Sequence, residues 1–101
     1  MNDIVDVDRL QKAFDSLCKI LSGLAPLGLS TDSIKPQTLL VEDIGLDSLL
    51  FVDLTLGIED VMGFEFPMQK WVDQQIDTGA PLSVGELAKA CSNMPAIESA
   101  P

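Results

Sequence analysis

Residues 44–54, Ile44-Gly45-Leu46-Asp47-Ser48-Leu49-Leu50-Phe51-Val52-Asp53-Leu54, pass from a loop into a helix. Asp47 has the short carboxylate that suits an N-cap, accepting backbone N–H groups that the first turn of a helix leaves unpaired. The helix is expected to run from Ser48 to about Met62 and to stop at Gly63. At 100° per residue, Leu50, Phe51, Leu54, Ile58, Val61 and Met62 form one broad apolar face. Leu49, Val52 and Leu56 fall on a narrower stripe roughly opposite, flanked by Asp53 and Asp60 on one side and Glu59 on the other. The broad face belongs in a core. The narrow stripe is either a contact surface or part of a helix buried on both sides with its acids reaching outward. Periodicity favours the contact surface, because deep burial would drag unpaired carboxylates in with it.

Upstream, Leu10, Phe14, Leu17, Leu21 and Leu24 recur at steps of three and four, which predicts a first helix from about Val7 to Leu24. Asp8 and Gln11 can form a capping box at its start. Between Ala25 and Asp47 the chain carries Pro26, Gly28, Pro36 and Gly45 with a cluster of Ser, Thr and Asp, and reads as a long loop. A loop of this length in a compact domain must be pinned or functional. Ile34, Leu39, Leu40, Val41 and Ile44 can pin it, with a helical turn near Pro36 to Leu40.

Downstream, Gly63-Phe64-Glu65-Phe66-Pro67 is extended, since Pro67 biases Phe66 away from helical geometry. A short third helix is expected from Met68 to Ile76, with Trp71, Val72 and Gln75 on one side, ending before Thr78-Gly79-Ala80-Pro81. Ser83 followed by Glu86 is a capping box for a last helix to about Ser92, with Val84, Leu87, Ala88 and Cys91 as its core face. The predicted class is all-α, a four-helix bundle with a long first loop and a short third helix. Residues 1–93 form the domain, and 94–101 are expected to be a flexible tail.

Composition narrows the function. A chain of 101 residues, 47% hydrophobic, suits one small core. Sixteen acidic residues against six basic give a formal charge of -10, which repels nucleic acid and anionic membranes. Basic protein partners fit this charge, although acidity also serves solubility. No signal-like segment or membrane-length apolar run is present, so a cytoplasmic protein is expected. With no histidine, Ser-His-Asp and Cys-His catalysis and mixed zinc sites are excluded. Cys18 and Cys91 favour buried free thiols over a disulfide. No catalytic residue and no resident metal site are assigned.

The segment Leu40-Val41-Glu42-Asp43-Ile44-Gly45-Leu46-Asp47-Ser48-Leu49 resembles the acyl carrier protein family around its modified serine, including the D-S-L signature. The similarity continues through Val52-Asp53-Leu54, Glu59-Asp60 and Phe66-Pro67, and the nineteen positions from Ser48 to Pro67 fit without a gap. The same stretch contains Leu46-x-x-Leu49-Leu50, a groove-docking pattern that arises readily in leucine-rich helices. The resemblance implies that a phosphopantetheinyl transferase places 4'-phosphopantetheine on Ser48, and that the arm then holds an acyl or aminoacyl group as a thioester. It implies that Asp47 helps to hold magnesium during arm transfer. It implies that Leu49, Val52, Asp53, Leu56, Glu59 and Asp60 meet partner enzymes, here a loading ligase and downstream transferases with basic surfaces. A phosphodiester suits the amino end of a helix, where N–H groups and the helix dipole favour an anion.

Two departures point to a specialised member. Leu50 and Phe51 stand where carriers for fatty acid synthesis usually have acidic or polar residues. The stretch from Met68 to Leu82 is long, and the acidic third helix is missing. The expected protein is a monomeric, non-enzymatic carrier in a lipid, polyketide or peptide-type pathway. The competing class is an unmodified helical adaptor that binds through the second helix.

Overall fold

The stripe of Leu10, Phe14, Leu17 and Leu21 winds along a helix, α1 (Asn2–Ser22), in the computed structural model, which describes residues 2–24 and 28–93. Three further helices follow: α2 (Ser48–Met62), α3 (Met68–Thr78) and α4 (Val84–Ser92). Among the described residues there is no strand, only an isolated antiparallel bridge between Leu39 and Ser83. The four-helix, all-α arrangement is the one the periodicities predict. The segment 94–101 lies outside the described residues.

α1 packs against α4 and α2. Leu17, Leu21, Leu40, Leu54, Ile58, Val84 and Leu87 are fully buried between them, and each such side chain is worth about 1.5–3 kcal/mol of transfer free energy. Gly57 permits the α1–α2 approach, since a Cβ there would lie 2.6 Å from Ile20 Cγ2. Phe64, Phe66 and Trp71 belong to the same core, with the Phe66 and Trp71 rings tilted at 58° and their centroids 6.4 Å apart.

Several boundaries differ from the sequence reading. α1 starts at Asn2, so Asp8 and Gln11 lie inside it and form no capping box; the Gln11 amide instead donates to Asp15 Oδ1 at 3.0 Å. No Gly or Pro upstream of Asp8 stops the helix, so it propagates past the nominal cap. The helical turn of the long loop is a 3-10 turn at Thr31–Ser33, capped by Ser30, rather than one near Pro36 to Leu40. Val41 is 43% exposed and does not pin the loop. Val61 is 56% exposed although the sequence places it on the apolar face of α2, at the edge of the arc whose centre, Leu54 and Ile58, is fully buried. α3 runs two residues past Ile76 to the Gly79 cap.

Backbone hydrogen bonds tie the loop to Leu82 and to the first residues of α4. Leu40 N–H donates to Leu82 O at 2.8 Å, Val84 N–H to Thr38 O at 2.9 Å, and Gly85 N–H to Pro36 O at 2.7 Å. Two first-turn donors of α4 thus find their acceptors in the loop, while Ser83 Oγ accepts the Glu86 N–H at 3.1 Å. The Glu86 carboxylate turns instead to Lys89, at 3.2 Å. A side chain at residue 85 would place its Cβ 2.8 Å from Pro36 O, so the close approach requires glycine.

Candidate functional site

The last stretch of the loop is wound into a closed turn before it reaches Ser48. Asp43 and Ile44 N–H both donate to Leu39 O, at 3.1 and 3.0 Å, Gly45 N–H donates to Val41 O at 3.0 Å, and Leu46 N–H to Leu40 O at 3.0 Å. The Asp43 carboxylate accepts the Leu39 N–H at 2.9 Å. Gly45 sits at φ 87°, in the left-handed region that glycine enters without a Cβ clash. Leu40, Ile44 and Leu46 point into the core and anchor the turn.

Asp47 is extended, and its Oδ1 accepts the Leu50 N–H at 2.9 Å, so it is the N-cap of α2 as its chemistry suggests. Ser48 is the first helical residue and is exposed. The first turn of α2 contains no acidic residue. An anion attached at Ser48 would therefore meet the positive end of a 15-residue helix, with the nearest carboxylate, Asp47, already engaged in capping. The residues present fit a phosphodiester.

Beside Ser48, α2 and α3 frame an open groove of about 580 Å³. Phe51, Val52 and Thr55 line it from α2, and Met68, Gln69 and Val72 from α3. Two of its polar side chains are partnered within their own helices: Thr55 Oγ1 donates to Phe51 O at 2.8 Å, and Gln69 Nε2 to Asp73 Oδ1 at 3.0 Å. Residue-by-residue sequence reading does not find this groove. Phe51 and Thr55, like Met68 and Val72, show only an i, i+4 spacing within one helix, and the pairing of the two helices is tertiary.

Leu49, Val52 and Leu56 are 71%, 54% and 57% exposed. Asp53 and Asp60 flank them in solvent, and Glu59 is half-buried on the other side. The stripe begins one residue after Ser48, and Val52 belongs to both stripe and groove. Seven carboxylates and no Lys or Arg occur between Lys35 and Lys70, so the stretch of chain that contains α2 is strongly negative. Neither cysteine joins the site. Both are buried and free, and burial pushes the Cys91 thiol up to about 12 and, with the Asp15 charge nearby, raises that of Cys18, which leaves neither a nucleophile near neutrality. Among the described residues no group of three or more His, Cys, Asp or Glu is placed to hold a metal ion, and no helix is long and apolar enough to cross a membrane.

Comparison with known proteins places this geometry in context. The family model for the phosphopantetheine attachment site matches residues 9–75, from α1 into α3. The chain is 30% identical over 70 residues to acyl carrier protein AcpXL of Mesorhizobium japonicum, covering 69% of this chain and 72% of that protein. It is 30% identical over 71 residues to acyl carrier protein AcpXL of Rhizobium meliloti, covering 70% and 72%. An acyl carrier protein of Coprothermobacter proteolyticus is 40% identical over 68 residues, covering 67% and 78%. No solved structure gives a significant match.

Proposed function

Because the chain belongs to the acyl carrier protein family, whose members bear 4'-phosphopantetheine, we propose that Ser48 is the residue that carries the arm. A carrier role, with a phosphopantetheinyl transferase and acyl-handling enzymes as partners, follows from membership; the residues and the pathway are this proposal's own. The observation that supports it is the exposed Ser48 hydroxyl on the first residue of α2, directly after a capping aspartate and at the mouth of the α2–α3 groove. When attached, the arm supplies a terminal thiol that holds the cargo as a thioester.

The chain's own residues position and present. Ser48 offers its hydroxyl where the helix end stabilises the phosphodiester formed on it. Asp47 caps α2, and its carboxylate, one residue from Ser48, would help to hold a magnesium ion during arm transfer, an ion that takes oxygen ligands and keeps few from any one protein. Leu49, Val52 and Leu56, bordered by Asp53, Glu59 and Asp60, dock onto apolar pockets rimmed with Lys or Arg on the transferase, a loading ligase and downstream transferases. In this reading the protein is no enzyme but a cytoplasmic, monomeric carrier of an acyl or aminoacyl group in a specialised lipid, polyketide or peptide-type pathway.

Mass spectrometry tests the assignment. With coenzyme A and a promiscuous phosphopantetheinyl transferase, the wild-type chain should gain one arm and Ser48→Ala none. Modification of Ser48→Ala would place the arm elsewhere. Failure of the wild type to gain mass with any transferase would leave an unmodified adaptor that binds through α2.

A further inference from the structure

Asp43 lies five residues before Ser48 and outside both the groove and the docking stripe. Its side chain nevertheless performs a specific task in the turn that presents Ser48. Leu39 O accepts two N–H groups, from Asp43 and Ile44, and the Leu39 N–H is taken in return by Asp43 Oδ2 at 2.9 Å. The exchange closes residues 39–44 on themselves. One end of this closed turn is tied to the segment that leads into α4 through Leu40 N–H and Leu82 O, and the other runs through Gly45 and Leu46 into the Asp47 cap. Between these ties Val41, Glu42 and Asp43 are exposed, so packing alone does not hold the middle of the turn.

We infer that Asp43 is a positioning residue for modification at Ser48: its hydrogen bond to Leu39 keeps the presenting turn closed, and the transferase engages the closed turn. The inference rests on the reading of Ser48 as the attachment site. Opening the turn lowers the fraction of molecules competent to bind, and the apparent affinity falls by that fraction while the bound complex reacts as before. The loss therefore falls on KM for the carrier and leaves kcat nearly unchanged. Loss of one such hydrogen bond shifts the opening equilibrium about fivefold, which is the upper bound on the rise in KM.

The test compares modification kinetics of the full chain as wild type, Asp43→Ala, Asp43→Asn and Asp43→Glu, with hydrogen exchange at the Leu39 amide. Asp43→Ala should speed Leu39 exchange about fivefold and raise KM by up to that factor, in step with the open fraction. Asp43→Asn keeps an acceptor at the same reach and should restore both values. Asp43→Glu keeps the charge but displaces the acceptor by a methylene, and should behave like Asp43→Ala. An unchanged KM in Asp43→Ala would overturn the inference. So would a slow Asp43→Asn beside a normal Asp43→Glu, which would mean that charge and not the hydrogen bond matters; this comparison decides the question even where Asp43→Ala does not fold. A wild type that takes no arm would instead overturn the reading of Ser48.

Discussion

The carboxylate of Asp47 accepts the Leu50 N–H at 2.9 Å, so the residue before Ser48 is the cap of the helix that Ser48 begins. Capping and assistance at the attachment site are therefore asked of one side chain, and they separate on substitution. Asp47→Ala should lower stability by about 1 kcal/mol in urea melts, whereas Asp47→Asn, also a good cap, should change it by only a few tenths. If the charge also helps to hold magnesium, Asp47→Asn should need more magnesium for half-maximal arm transfer while remaining folded. An unchanged magnesium dependence would leave Asp47 as a cap alone.

Gly57 and Ile20 face each other where α1 and α2 pack together. A Cβ at residue 57 would meet Ile20 Cγ2 at 2.6 Å, and Cγ2 branches from Cβ, so it cannot swing away cheaply. Gly57→Ala should destabilise the protein by about 1–2 kcal/mol, overpacking outweighing the gain in helix propensity. In an Ile20→Ala background the same change should stabilise by about 1 kcal/mol, because the propensity gain remains and the clash does not. A double-mutant cycle in urea reads this change of sign.

The exposed stripe should be separable from the core. Leu49→Ala and Leu56→Ala, at 71% and 57% exposed sites, should each shift stability by less than about 0.5 kcal/mol. Both should weaken binding to a transferase or ligase. Asp53→Lys should weaken the same binding at low salt, with the difference shrinking as salt screens the pair. Normal binding by all three at low salt would reduce the stripe to a solvated face.

Burial pushes the Cys91 thiol up to about 12, from 9.0 for an unburied one. Above the lower value the unfolded chain loses a proton that the folded protein keeps, so the unfolded state binds fewer protons and stability falls as pH rises. The contribution is complete below pH 9.0 and is lost toward about 12, at no more than about 1.4 kcal/mol per pH unit. Urea melts at about pH 8 and about pH 10 should show a smaller loss for Cys91→Ala than for wild type. An equal loss in both would trace the alkaline destabilisation to other groups.

The features legible in the chain were those whose causes lie within a few residues. Asp47 capping α2, Gly63 ending it, Ser83 opening α4 and the core face of Val84, Leu87, Ala88 and Cys91 all depend on spacings of three or four positions. The same local logic overreached at Asp8 and Gln11, which have cap chemistry but lie within a helix that begins at Asn2. A cap signal permits a helix start and does not compel one.

By itself the sequence determined four helices, an anion-favouring start at Ser48 and an acid-bordered apolar stripe that begins beside it, because helical periodicity and capping act through backbone groups one turn apart. Only the tertiary structure decided that Pro36, Thr38 and Leu40 hang the long loop on the start of α4, that α2 and α3 frame a groove at Ser48, and that Val41 and Val61 stay in solvent. Each of these depends on which elements meet and at what height. An apolar residue on the right arc is buried only where a neighbour arrives to cover it, and a backbone carbonyl in a loop caps a helix only where packing delivers it there.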